Sequence, residues 1–216
     1  MRVAYRNRAT GVVDTAEADF CICALPFSIL KDLDTDLSDD VKQIINNARQ
    51  DSAYKIAWES RRFWEQEFSI YGGLSFLKQP VNLVWYPSSG LFSNKGILVA
   101  GYSVENGTSF EMLDRAAKLE SSRNSVEILH PGYSRELSKP LYVSWGHIPY
   151  SLGGWMRHRQ AQGFRSSFSG YERAIQPDGP IYLAGDHLSH MVAWQEGAAL
   201  SAHHAVSLLA QASEAR

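Results

Sequence analysis

The period of the hydrophobic positions changes several times along this chain, and each change marks an element. Strand-like alternation covers residues 2–7 and again 18–25, with a polar hairpin around Ala9-Thr10-Gly11 between them. The run Phe20-Cys21-Ile22-Cys23-Ala24-Leu25 is too uniformly apolar for a half-exposed strand, so it is expected to be covered on both faces, as in a layered α/β sheet, until Pro26 stops it. From Ser38 the period lengthens. Val41, Ile44, Ile45 and Ala48 recur at helical spacing, Ser38 stands at the capping position, and Asp39 and Asp40 complement the dipole, which predicts a surface helix to about residue 50.

Period two then returns over residues 53–60, 73–76, 81–86 and 96–102, with polar or Gly/Pro/Ser breaks between them, the pattern of a mixed or antiparallel sheet. Phe110, Leu113, Ala117 and Leu119 predict an amphipathic helix over 108–122, residues 125–129 begin another short element, and 142–145 form a short strand. The stretch Ile181-Tyr182-Leu183-Ala184-Gly185-Asp186-His187 reads as a buried strand, a tight glycine and an acid, and an alanine-rich helix follows from Trp194. In α/β proteins that order sets an acid and a helix N-terminus at the carboxyl edge of a sheet, where orphan N–H groups hold an electron-rich ligand. An ordinary strand-to-helix junction has the same pattern.

Composition narrows the classes. The 216 residues suffice for one large or two small domains, and 44% hydrophobic content supports a packed core. A net charge of -2 and a pI near 6.4 supply no basic field for nucleic acid. No apolar run approaches the roughly 18 residues of a membrane span, and the opening residues lack a signal-peptide core, so no address is expected on this chain and the compartment stays open. Cys21 and Cys23 read as buried free thiols. The histidines offer no third ligand at metal spacing, and no Gly-x-Ser-x-Gly is present.

Four side chains stand out. Lys55 alternates with Tyr54, Ile56 and Trp58, which sets an ammonium on the face opposite the aromatics, either inside a pocket or as an edge lysine that deters aggregation. Tyr86 closes a strand just before Pro87, where a phenol is able to donate to a carboxylate or simply to pack. Trp155 follows Gly153-Gly154, which permit close backbone approach to a flat ligand, and Trp194 supplies a second indole; a pair of core tryptophans is the alternative.

In order, these pieces resemble the C-terminal half of the flavin-dependent amine oxidase superfamily. The matching stretches are Cys23-Ala24-Leu25-Pro26, Tyr54-Lys55-Ile56 with Phe63-Trp64, Trp145 with Pro149-Tyr150 and Gly153-Gly154, and Tyr182-Leu183-Ala184-Gly185-Asp186 with Trp194-Gln195-Glu196-Gly197-Ala198. The resemblance implies α/β plus α+β architecture: part of a Rossmann-like FAD-binding domain (residues 1–51 and 151–216) interleaved with a mixed-sheet substrate-binding domain (52–150). It also implies that Pro26, Gly154 and Gly185 lie at the cofactor and that Asp186 bonds the ribityl or phosphate part of FAD. The N–H groups around Gln195 would face the flavin pyrimidine edge, Lys55 would hold a water at flavin N5, and Trp155 and Trp194 would wall the substrate.

Two departures matter. No GxGxxG occurs in these residues, so a second chain carrying the dinucleotide-binding segment is expected, in a heteromer such as a dimer of heterodimers. Gly154 stands where monoamine oxidases have the cysteine bonded to flavin, so FAD is expected to be noncovalent. Trp85-Tyr86-Pro87-Ser88 leading to Gly96–Tyr102 looks most like the L-amino acid oxidases, in which Tyr86 would help to bind the substrate carboxylate. The implied activity is oxidative deamination of an L-amino acid to a 2-oxo acid, ammonia and hydrogen peroxide. The alternatives are an amide-forming amino acid 2-monooxygenase, a monoamine oxidase and a noncatalytic subunit.

Overall fold

The computed structural model describes residues 1–104, 108–160 and 166–214, and it divides into two units, residues 51–154 and residues 1–50 with 155–216. In chain order the elements begin with strands β1 (Arg2–Arg6), β2 (Val13–Glu17) and β3 (Cys21–Cys23) and helices α1 (Phe27–Leu30) and α2 (Asp39–Asn47). Then come β4 (Gln50–Asp51), β5 (Ala53–Arg61), α3 (Phe63–Gln66), β6 (Leu74–Phe76), β7 (Leu83–Trp85), β8 (Lys95–Val104), α4 (Arg115–Leu129) and β9 (Ser138–Ser144). β10 (Trp155–Met156), β11 (Arg159–Gln160), β12 (Ser166–Ser167), α5 (Tyr171–Ala174), β13 (Ile181–Leu183) and α6 (Gln195–Glu214) follow. The result is a mixed α/β fold with several sheets.

In residues 51–154, period two sorts β5 onto two faces. Tyr54, Ile56 and Trp58 are buried, whereas Lys55, Ala57 and Glu59 are half-buried on the other side. β5 lies inside a five-stranded antiparallel sheet of order β6-β7-β8-β5-β9. Its buried face meets Val84, Leu98, Ala100, Phe110 and Val126, and burying each of the larger side chains contributes about 1.5–3 kcal/mol. Tyr54 stacks on Phe110 at 4.1 Å between ring centroids.

α4 runs unbroken over Arg115–Leu129, not as a helix over 108–122 with a separate element at 125–129. Its serines would favour a break if they stood alone, but here they bond to the sheet. Ser122 Oγ donates to the Ala100 carbonyl and accepts from Trp58 Nε1 at 2.9 Å, and Ser125 Oγ donates to Val81 O at 3.2 Å. The N-cap is Asp114, which accepts from Ala117 N–H at 2.8 Å. β9 starts earlier than expected and ends at Ser144, which leaves Trp145 in a 3-10 turn.

In the other unit, β1 and β2 form a hairpin closed by Gly11 in the left-handed region, so the second strand is the segment read as polar turn. The apolar run beyond it holds only the three residues of β3, which pair in parallel with β13, Ile181 opposite Cys21 and Leu183 opposite Cys23. One face packs on Phe27, Leu30, Val41, Ile45 and Leu188. The other is not fully covered: Ile22 is 40% and Leu25 39% exposed, against the expected burial on both faces. The thiol of Cys23 is half-buried, and burial pushes its pKa up. α2 forms as predicted but stops at Asn47, and Ser38 Oγ turns to Asp178 Oδ1 at 2.7 Å instead of capping an N–H.

Candidate functional site

Chemistry-bearing side chains collect at one place in each unit. In the unit of residues 1–50 and 155–216, β3 and β13 end side by side, and Ala184 N–H donates to Cys23 O at 2.9 Å to extend the pairing. Pro26 therefore leaves the carboxyl end of one parallel strand while Gly185 and Asp186 leave that of its neighbour, the edge at which open α/β sheets take ligands. α6 starts beside them. Gly185 N–H donates to Ser201 Oγ at 3.1 Å, which ties the strand end to the helix, and Ala193 N–H donates to Asp186 Oδ2 at 2.7 Å, which closes the 186–194 loop on itself. Ala193 pays for this with a left-handed backbone, φ 69°. Gly197 is required because a Cβ there would strike the Met191 carbonyl.

The acid at this edge is poised as an anion. Burial raises the pKa of the Asp186 carboxyl, but hydrogen bonding from His187 and from the Ala193 N–H outweighs it and holds the group below the usual carboxylate range. The His187 ring lies edge-on to Phe27 at 4.6 Å, with Nδ1 3.9 Å from Asp186 Oδ1, and among the described residues its buried Nε2 has no partner. Gly185, at φ 143°, makes room for that ring, since a Cβ would strike it. Among the described residues no backbone carbonyl accepts from the first three N–H groups of α6, at Gln195, Glu196 and Gly197. A cofactor with hydroxyl groups and an electron-rich heterocycle fits this set: an anionic acceptor, three orphan donors and a backbone cradle.

In residues 51–154 the site is the solvent side of the sheet. Lys55 lies opposite Tyr102 in the β5–β8 pairing, and its Nζ lies 4.7 Å from the Tyr102 ring centroid, 5.2 Å from Trp85 and 5.9 Å from Trp145. The register between β5 and β8 shifts after Lys55, with Ala57 opposite Val99, so β8 carries one extra residue that re-aims its end. Gly101 sits in that bulge, where a Cβ would press at 3.4 Å on Ile56 and Tyr54. Among the described residues the Tyr102 hydroxyl has no hydrogen-bond partner.

Tyr86 departs from its expected role. Val84 and Tyr86 are the inward members of this run and Trp85 the outward one. The Tyr86 hydroxyl is buried at 2.8 Å from His130 Nε2 and 3.1 Å from Ser75 Oγ, so it is spent in the core. The phenol opposite Lys55 on that face is Tyr102, for which the sequence pattern shows a strand end and no role; its position follows only from strand register.

Gly154 is exposed, yet its backbone lies too close to β5 for a side chain. Its N–H donates to Asp51 O at 2.7 Å, and a Cβ would lie 2.7 Å from that of Ala53, so no cysteine fits there without displacing β5. Trp155 is half-buried in β10 and Trp194 is 65% exposed just before α6; among the described residues the two indoles make no ring contact. No group of three metal-binding side chains occurs among the described residues, and no helix among them is long and apolar enough to cross a membrane.

Comparison with known proteins shows the family. The sequence profile of the family described as flavin containing amine oxidoreductase matches residues 2–210. The flavin-dependent L-tryptophan oxidase RebO of Lentzea aerocolonigenes is 32% identical over 204 residues, 90% of this chain and 42% of that protein. An L-amino-acid oxidase of Bungarus fasciatus is 25% identical over 203 residues, 90% of this chain and 38% of its own. This chain thus spans about two fifths of the length of these relatives. Among solved structures, putrescine oxidase bound to putrescine superposes with a TM-score of 0.72 at 16% identity, covering 91% of this chain and 44% of that one. Cyclohexylamine oxidase from Brevibacterium oxydans IH-35A gives 0.71 at 15% identity, over 90% and 44%. These likenesses show the fold.

Proposed function

We propose that this chain, which belongs to the family of flavin-containing amine oxidoreductases and whose cofactor is FAD, is part of an L-amino acid oxidase. FAD, when bound, would supply the acceptor for a hydride equivalent from the substrate Cα–H and the route by which its electrons reach O₂. The chain's own residues do the rest. Asp186 and the orphan N–H groups of α6 hold the polar and electron-rich parts of the cofactor, where the helix dipole favours negative charge. Gly154 leaves no side chain to bond it, in keeping with noncovalent binding. Lys55 serves the reaction with oxygen, and Trp155 and Trp194 present apolar surface to the substrate.

The observation that carries an amino acid over a plain amine is the Tyr102 hydroxyl, unpartnered on the same sheet face as Lys55. A substrate carboxylate needs a donor; an alkylamine does not. Tyr102 takes the part for which Tyr86 is unsuited. The protein's similarity to an L-tryptophan oxidase supports an L-amino acid with a large apolar or aromatic side chain.

The dinucleotide-binding segment with its glycine-rich phosphate loop would come from outside these 216 residues. The incompletely covered face of β3 and the exposed Leu200 and Val206 of α6 support this, because parallel sheets are ordinarily covered on both sides. The test is an assay of the FAD-loaded complete protein for peroxide, ammonia and 2-oxo acid with L-amino acids and simple amines. The proposal expects all three products from amino acids. Oxidation of amines alone, or an amide product with loss of CO₂, would contradict it.

A further inference from the structure

The ammonium of Lys55 has three aromatic faces around it and, among the described residues, no carboxylate. This is not for want of acids on the sheet. Glu59, on the same strand and the same face, pairs with Lys95 at 3.3 Å and Lys139 at 3.0 Å. The nearest acid along the strand is thus committed elsewhere, and Lys55 is held by rings from β7, β8 and the turn after β9.

A carboxylate partner would cancel most of the lysine's field. Aromatic faces attract the cation through their quadrupoles without neutralising it, and by displacing water they strengthen its action on other charges. We propose that Trp85, Tyr102 and Trp145 form an aromatic cage that positions Lys55 and leaves its charge uncompensated, so that it stabilises negative charge developing on oxygen. The proposal rests on the assignment of Lys55 to the reaction with oxygen. In that step O₂ gains two electrons from the reduced cofactor and two protons, giving hydrogen peroxide, and negative charge reaches oxygen before the protons do. The cage residues are positioning residues, since they act through Lys55.

The experiment separates the two half-reactions of the FAD-loaded complete protein by stopped flow, in Trp85→Leu, Trp145→Leu, Trp145→Phe and Lys55→Met. Loss of one cage face is expected to slow reoxidation by O₂ about tenfold while anaerobic reduction by substrate stays within about threefold. Trp145→Phe should recover most of the loss. A second readout needs no turnover: with ¹³C at the lysine ε carbon, one resonance should lie upfield from ring currents, vanish in Lys55→Met, and return to the bulk position in Trp145→Leu.

Unchanged reoxidation in both Leu variants, equal slowing of both half-reactions, or no displaced lysine resonance in the wild type would overturn the cage. If Lys55→Met slows reoxidation but the Leu variants do not, the cage alone fails. If Lys55→Met changes nothing, the role of Lys55 fails with it. Should a Leu variant not fold, the wild-type resonance and the Trp145→Phe rates decide.

Discussion

The two units bury their apolar residues to different depths. In residues 51–154, Ile56, Phe63, Trp64, Val81, Val84, Leu98, Ala100 and Val126 are wholly buried, and the sheet has a helix across one face. In the other unit a two-stranded parallel sheet leaves Ile22 and Leu25 partly in solvent, and α6 buries little beyond Gly197, Ser201 and Ala205 along its length. The first unit is stabilised by its own core and lays its reactive groups on the spare face. The second packs a smaller core around Phe27, Leu30, Val41 and Ile45 and uses hydrogen bonds to hold the strand ends and the loop that present Asp186. One unit is organised for packing and the other for holding something.

The sharpest way to break that contrast is a deep truncation in the well-packed unit. Trp64→Ala, at a wholly buried position, is expected to cost about 3–5 kcal/mol in urea unfolding followed by fluorescence. A cost similar to that of a β3 truncation would erase the distinction.

Next is Gly185→Ala in the other unit. The added methyl meets the His187 ring at a φ that disfavours L-residues, so FAD affinity should fall at least about tenfold by flavin fluorescence titration, with the unfolding of residues 51–154 unaltered.

The third concerns acid. Burial pushes the His130 imidazole below its ordinary value, so the unfolded chain binds the proton more readily than the folded one. The stability contribution is complete above about pH 6.5 and is lost as the pH falls toward the depressed value, at up to about 1.4 kcal/mol per pH unit. Urea midpoints for residues 51–154 should therefore drop on acidification, and His130→Gln should flatten that dependence even though it weakens the bond to Tyr86. The smallest effect is Ile22→Ala, expected to cost less than about 1 kcal/mol in this chain because the side chain is already 40% exposed.

How much of this was legible in the sequence depended on whether local pattern or strand register decided the outcome. Lys55 was placed on the correct face because Tyr54, Ile56 and Trp58 fix the alternation of β5. In Val84-Trp85-Tyr86 every residue is apolar enough to go inward, so pattern alone did not show that Tyr86 turns into the core. Tyr102 reaches Lys55 through a bulge whose sign in the sequence is Gly101, and a lone glycine does not say which residues it sets opposite one another. The strand-glycine-acid-helix run was plain because a glycine forced by the His187 ring also punctuates the sequence. The serines of α4 misled because their partners are carbonyls more than twenty residues away.

The central claim is that the face shared by Lys55 and Tyr102 serves an amino acid, and the measurement that tests it most directly is kcat/KM for an L-amino acid and for its decarboxylated amine, in wild type and Tyr102→Phe. Loss of a hydrogen bond to a charged carboxylate should lower the amino acid value at least about tenfold in Tyr102→Phe and leave the amine value unchanged. An equal fall for both substrates, or a wild-type preference for the amine, would contradict the account.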